Sequence, residues 1–231
     1  MRKIGILFLL IVISINSWAS HVQGADIQYT CLGGNQYQIT ATFYRDCGGI
    51  SAPGSFTVSF NSSCSNFTQS ISQTSFQEIT PVCPSAATTC NGGTYPGVQE
   101  YIYQATVTLP PCDDWVISYW ESARNGAIST GPSGNIYVEA TLDNLNYPCN
   151  SSPQFTTPPV PYICVNQPFC FNHGAADADG DSIYYSLVAP QTSATNTVTY
   201  INPYSPTQPL ASTPPMTIDG QTGLVCLTPT Q

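Results

Sequence analysis

Three aspartates at alternate positions, Asp177, Asp179 and Asp181, stand immediately before the apolar-rich run Ile183-Tyr184-Tyr185-Ser186-Leu187-Val188. Carboxylates are hard oxygen donors, and about six to eight such oxygens satisfy Ca²⁺, so this spacing reads as a Ca²⁺ site feeding a strand. Gly180 lets the backbone turn sharply between the second and third carboxylate. Asp219, in a second acidic turn, is a further contributor to the same site. No Glu closes the loop at the twelfth position and Pro190 ends the strand, so the motif is not an EF-hand. The competing reading is an acidic turn that water solvates.

Other chemistry is thinly supplied. Cys164, Cys170 and His173 have the residue types of a zinc site, but thiols in an exported chain favour disulfides. If the chain began at His21, its amine and imidazole together with His173 would offer a copper brace for oxidative polysaccharide cleavage. A Ser-His-Asp set drawn through His173 lacks any nucleophile-elbow motif. Asp113 and Asp114 with Glu121 suggest a glycosidase pair, but adjacent residues of a strand point to opposite faces. No catalytic or cofactor-binding residue is therefore assigned, and the chain is expected not to be an enzyme.

The compartment follows from the first residues. Arg2 and Lys3 precede an apolar run and then Ser17-Trp18-Ala19, the pattern of a secretory signal peptide over residues 1–19. No other stretch is apolar enough to span a bilayer. Loss of that leader leaves Arg45 and Arg124 against thirteen carboxylates, a formal charge of 2 − 13 = −11. Two isolated arginines cannot displace the counterions of a phosphate backbone, which excludes nucleic acid as a partner. All ten cysteines lie in the exported part, at positions 31, 47, 64, 83, 90, 112, 149, 164, 170 and 226, an even count that reads as disulfides. Ten cysteines allow about 945 pairings, so connectivity stays open; Cys83 with Cys90 and Cys164 with Cys170 are the local expectations.

The elements that must position these residues are strands. Ile27, Tyr29 and Cys31 alternate with polar residues; after Gly33-Gly34-Asn35, so do Tyr37, Ile39, Ala41 and Phe43, which makes a hairpin with one buried face. Phe56-Val58-Phe60, Tyr101 to Leu109, Trp115-Ile117-Tyr119 and Ile136 to Leu142 repeat the period of two, and Trp115 reads as core. Residues 61–100, rich in Ser, Thr, Asn and Gly and holding three cysteines, read as a disulfide-pinned excursion outside the packed layers. Asn61, Asn66 and Asn150 each open a glycosylation triplet and mark surface.

Proline and asparagine crowd residues 146–161, which places a linker there between a disulfide-rich β-sandwich at 20–145 and a second β-module at 162–231. That module comprises an extended 162–171 segment, the acidic turn, a strand at 183–188, the run Val198-Thr199-Tyr200-Ile201, a proline-rich loop, and two strands around Asp219-Gly220. It reads as incomplete, its last strand lacking a neighbour to cover its edge. The fold class is all-β: two Ig-like sandwich modules with disulfides, the second truncated.

Several segments carry a resemblance. Ser20-His21-Val22-Gln23-Gly24-Ala25-Asp26-Ile27-Gln28-Tyr29, Phe43-Tyr44-Arg45-Asp46-Cys47-Gly48-Gly49, Leu109-Pro110-Pro111-Cys112-Asp113-Asp114-Trp115, Arg124-Asn125 and Asn150-Ser151-Ser152-Pro153-Gln154-Phe155 are similar to the N-terminal regions of large secreted surface proteins of Bacteroidota, the gliding-motility-associated, adhesin-like group. From the Asp177–Asp181 run to Ile218-Asp219-Gly220-Gln221-Thr222-Gly223 the chain also resembles a cadherin-like or Ig-like repeat. The resemblance implies a non-enzymatic structural or adhesion role at the cell surface, with polysaccharide, substratum or other surface proteins as partners. It also implies export by type IX secretion through a C-terminal sorting domain that lies outside this sequence. The alternative is a secreted polysaccharide-active enzyme or carbohydrate-binding accessory module.

Overall fold

The computed structural model describes residues 22–231 apart from 84, 126–127, 132–133 and 160–161. The signal-peptide segment, its cleavage position and His21 lie outside the described residues. Seven long strands come first: β1 (Val22–Gly33), β2 (Gln36–Asp46), β3 (Ser55–Asn61), β4 (Asn66–Glu78), β5 (Val98–Thr108), β6 (Trp115–Glu121) and β7 (Ile136–Leu142). Seven short pieces follow: β8 (Gln154–Phe155), β9 (Phe169–Asn172), β10 (Ala175–Ala176), β11 (Gln191–Ser193), β12 (Asn196–Thr197), β13 (Thr217–Ile218) and β14 (Leu224–Leu227). The fold is all-β, and the period-two pattern of the sequence is its cause.

The first hairpin forms as its residues dictate. Gly34 and Asn35 both take positive φ, 60° and 62°, which is the two-residue turn whose twist matches that of the strands it joins. β1 then runs antiparallel to β2 with Tyr29 opposite Ile39. Nine strands build one antiparallel sheet in the order β1-β2-β5-β4-β3-β6-β7-β11-β12. It curls so that its two halves face each other across the core, a sandwich continuous through the β4–β3 hairpin, with β1 lying beside β7 at the far side.

That core is aromatic. Phe56 of β3 packs on Phe43 of β2 at 5.4 Å between centroids, on Tyr103 of β5 at 4.3 Å and on Tyr119 of β6 at 5.2 Å. Burying a ring of this size stabilises by about 1.5–3 kcal/mol, and the phenols need acceptors inside. They find them across the curl: Tyr119 donates to the Thr42 carbonyl at 3.1 Å and Tyr29 to the Thr141 carbonyl at 2.8 Å. Trp115 is fully buried, as its position on the inward face of β6 requires, and its indole N–H donates to the Pro110 carbonyl at 3.0 Å.

Two strand expectations are corrected. Residues 66–78 are not an excursion: β4 is a thirteen-residue strand paired with both β3 and β5. Its outward positions are polar and its only fully buried apolar residue is Ile71, so the alternation is too weak to read. Conversely, 183–188 forms no ladder, although its exposure alternates; Tyr185 N–H donates to the Gly220 carbonyl at 2.8 Å instead. The β13–β14 hairpin around Asp219 is present and β14 continues to β9.

Disulfides join Cys31 to Cys149, Cys47 to Cys90, Cys64 to Cys112 and Cys170 to Cys226. This overturns both local pairings: Cys90 reaches back to the β2 end, and Cys170 crosses the β9–β14 ladder to its register partner Cys226. Cys83 and Cys164 are unpaired and exposed. The Pro- and Asn-rich 146–161 segment is tied to β1: beside the Cys31–Cys149 bond, Ser152 N–H donates to the Tyr29 carbonyl at 2.9 Å, and the Ser151 hydroxyl accepts from Cys31 N–H at 3.2 Å. The region beyond it also adds β11 and β12 to the main sheet, with Gln191 opposite Tyr137.

Candidate functional site

The acidic run is a structured turn. Asp177 Oδ1 accepts the backbone N–H of Asp179 at 2.9 Å and of Asp181 at 3.1 Å, the bonding of an aspartate that closes a turn over its own chain. Gly180 takes φ +83°, as the sharp bend requires. Asp179 Oδ2 accepts Ser151 N–H at 2.6 Å, which fastens the turn to the segment beside β1. Asp219 does the same work in its own hairpin, accepting from Gln221 N–H at 2.9 Å and Thr222 N–H at 2.8 Å; these backbone bonds hold its carboxyl below the usual range. Among the described residues, the one group of three potential ligands within 4.8 Å of one another is Cys64, Cys112 and Asp114. Its two sulfurs are spent in their shared disulfide, and Asp114 accepts Ser63 N–H at 3.0 Å.

The histidine-centred alternatives separate. Cys170 is in a disulfide, which removes it from a zinc set with Cys164 and His173. His173 stacks on Phe155 at 4.2 Å, where β8 and β10 form a small ribbon, and its Nδ1 is buried without a hydrogen-bond partner. Burial pushes the imidazole below its ordinary value, against a backbone bond at Thr157 that raises it.

His173 and Phe155 line one side of a cleft of about 340 Å³ whose other side is the outer face of β1 and β2, with Asp26 and Tyr44. Burial pushes the Asp26 carboxyl up from 3.8 to about 6, with nearby Glu100 adding to the rise and bonds from Thr42, Tyr44 and Gln28 opposing it. Tyr44 sits between the two acids, and burial with their charges raises its phenol far above the ordinary value. Sequence reading missed this group because Asp26 and Glu100 are 74 positions apart and meet through a sheet that places β2 between β1 and β5.

A second concave surface lies on the outer face of β3, β6, β7 and β11. Trp120 is 61% exposed there and pairs across strands with Tyr137. The depression of about 330 Å³ around them includes Ser59, Asn61, Asn135, Thr192 and Ser193, and among the described residues no charged side chain lines it. Tyr137 is fixed by donating to Glu139 Oε2 at 2.8 Å. The sequence did carry this signal: Trp115, Ile117 and Tyr119 claim the inward face, which leaves Trp120 pointing out.

Both arginines of the described chain serve the backbone. Arg45 donates to the carbonyls of Cys47, Gly49 and Ile50 and holds the Cys47-Gly48-Gly49 turn, while Asp46 Oδ1 accepts Gly48 N–H at 2.8 Å. Arg124 donates to the carbonyls of Asn135 at 3.0 Å and Gln191 at 3.1 Å, joining the β7 start to β11. Arg45 and Arg124 thus act as backbone clamps. No helix among the described residues is long and apolar enough to cross a membrane. No protein-family model, curated protein or solved structure matches this chain.

Proposed function

We propose that this chain is a non-enzymatic, secreted or cell-surface adhesion and structural protein that meets uncharged polysaccharide through the Trp120–Tyr137 face. The observation that carries the reading is an exposed indole on the main sheet, flanked by a second aromatic ring and by the hydroxyl and amide groups of Ser59, Asn61, Asn135, Thr192 and Ser193. An aromatic face stacks on the C–H face of a sugar ring, and neutral donors and acceptors suit its hydroxyls. The leader, the paired cysteines and the resemblance to gliding-motility-associated surface proteins support export, with the type IX machinery as the implied route. Ca²⁺ held by Asp177, Asp179 and Asp181 belongs to the same proposal as a stiffening ion, with Asp219 the outlying candidate.

The test is retention on a panel of insoluble neutral and acidic polysaccharides, with Trp120→Ala as the paired variant. The expected outcome is retention on at least one neutral polymer, weakened at least tenfold in the variant, whose exposed position leaves the melting curve unchanged. Absence of retention across the panel, or retention indifferent to Trp120→Ala, would overturn the reading.

A second reading, a polysaccharide-active enzyme, is favoured by one observation: Asp26, raised to about 6, stands near Glu100 and the His173 cleft. A pair of neighbouring carboxyls is the apparatus of glycoside hydrolysis. Release of reducing ends that Asp26→Asn abolishes would support it against the first reading.

A further inference from the structure

Eight of the ten cysteines are joined in four disulfides, and the two left over, Cys83 and Cys164, are both exposed. They lie 81 positions apart in sequence but on segments that touch. Cys83 sits in the connection between β4 and β5, which is anchored at both ends: Ile79 N–H donates to the Val98 carbonyl at 2.9 Å, and Cys90 is bonded to Cys47. Tyr162, two residues before Cys164, donates its hydroxyl to the Pro96 carbonyl of this same connection. The Asp46 and Glu78 carboxylates, which flank that connection, are close enough to act on the phenol. Two residues of chain span at most about 7 Å, so Cys164 cannot stray far from the loop that Tyr162 holds.

We infer that Cys83 and Cys164 form a fifth disulfide, which clamps the C-terminal part of the chain onto the β4–β5 connection. Both sulfurs are free, and the backbone carbonyls accept locally, Cys83 from Ala86 N–H and Cys164 from Gln167 N–H. Closing the bond requires Cα atoms about 4.4–6.8 Å apart, and both cysteines stand on exposed segments outside any strand, where no ladder opposes the backbone turning that brings them together. The oxidant is the disulfide of an exported thiol–disulfide oxidoreductase. One cysteine thiolate attacks it to give a mixed disulfide, the second thiolate displaces the oxidoreductase sulfur, and the two electrons leave with the carrier as a dithiol, which retains the two protons. The inference rests on the reading of the chain as exported.

Peptide mapping of the full chain, secreted from an oxidising host, tests it. The protein is denatured in iodoacetamide without reductant, digested with pepsin at low pH to prevent exchange, and read by mass spectrometry. The expected result is one cross-linked species containing Cys83 and Cys164 and alkylation at neither. Alkylation at both with the other eight bonded would overturn the inference and leave the export reading intact; alkylation at all ten would sink both. A link between two copies of the chain through either residue would also overturn it. As a second measurement, Cys83→Ser should raise native-state labelling from zero to one thiol per chain, located at Cys164, with the sheet's melting transition retained.

Discussion

Asp26 is the side chain whose protonation couples most directly to the fold. Its folded pKa of about 6 stands above the ordinary 3.8, so the folded state binds more protons than the unfolded state between those two values, and stability falls as pH rises through that window. The full effect is at most about 3 kcal/mol, less what solvent recovers for a side chain that is not wholly enclosed. Thermal melts from pH 4 to 7 should show this decline, and Asp26→Asn should flatten it. His173 acts in the opposite sense: its folded value lies below 6.5, so its contribution is lost on acidification through the range below that value. The Asn variant therefore isolates the carboxyl. The acidic turn makes a separate prediction. If Ca²⁺ binds at the weak end of the extracellular range, millimolar Ca²⁺ should raise the melting temperature by a few degrees relative to chelator, and Asp179→Asn should abolish the difference. A melting curve indifferent to Ca²⁺ would leave Asp177 and Asp179 as turn and clamp residues, the roles in which their hydrogen bonds place them.

Among the elements, the bond between β1 and the segment after β7 closes the largest covalent loop, with a sequence separation of 118. Chain-entropy arguments give such a closure about 5 kcal/mol, so the double variant Cys31→Ser/Cys149→Ser should lose most of that in denaturant melts. A loss under about 1 kcal/mol would mean that Ser151 and Ser152 already hold the segment on β1. The strands that bury one clean face, β2, β5, β6 and β7, were legible because Tyr37 to Phe43 or Trp115 to Tyr119 can alternate inward only one way. β4 was not, because most of its side chains meet solvent and backbone pairing with β3 and β5 alone makes it a strand. At 183–188 the opposite happened: the pattern is strand-like, but Tyr184 and Tyr185 pack over the glycines of the β13–β14 turn and no neighbour completes a ladder. The acidic turn and the outward turn of Trp120 were legible as local patterns, whereas the Asp26 cleft and the residues that surround Trp120 depend on which strands become neighbours, and no local pattern encodes that.

Over the whole molecule, apolar burial is unevenly shared. Of the buried apolar core among the described residues, only Leu227 comes from beyond residue 145, whereas Tyr147, Tyr184, Val188 and Ile201 stand exposed. Limited proteolysis should therefore cut first within 150–231 and leave 22–145 resistant; equal resistance of the two parts would mean that the short ladders and the Cys170–Cys226 bond suffice. The Cys31–Cys149 bond has a mechanical consequence as well. A chain pulled between its two ends transmits tension along β1 to Cys31, through the sulfur–sulfur bond to Cys149, and onward, so that β2 to β7 hang outside the line of force. About 400 Å of contour length is thereby withheld from extension while the bond is oxidised. Single-molecule stretching should find that length only after a reductant is added, which makes the bond a redox-keyed limit on how far the chain can be drawn out under shear.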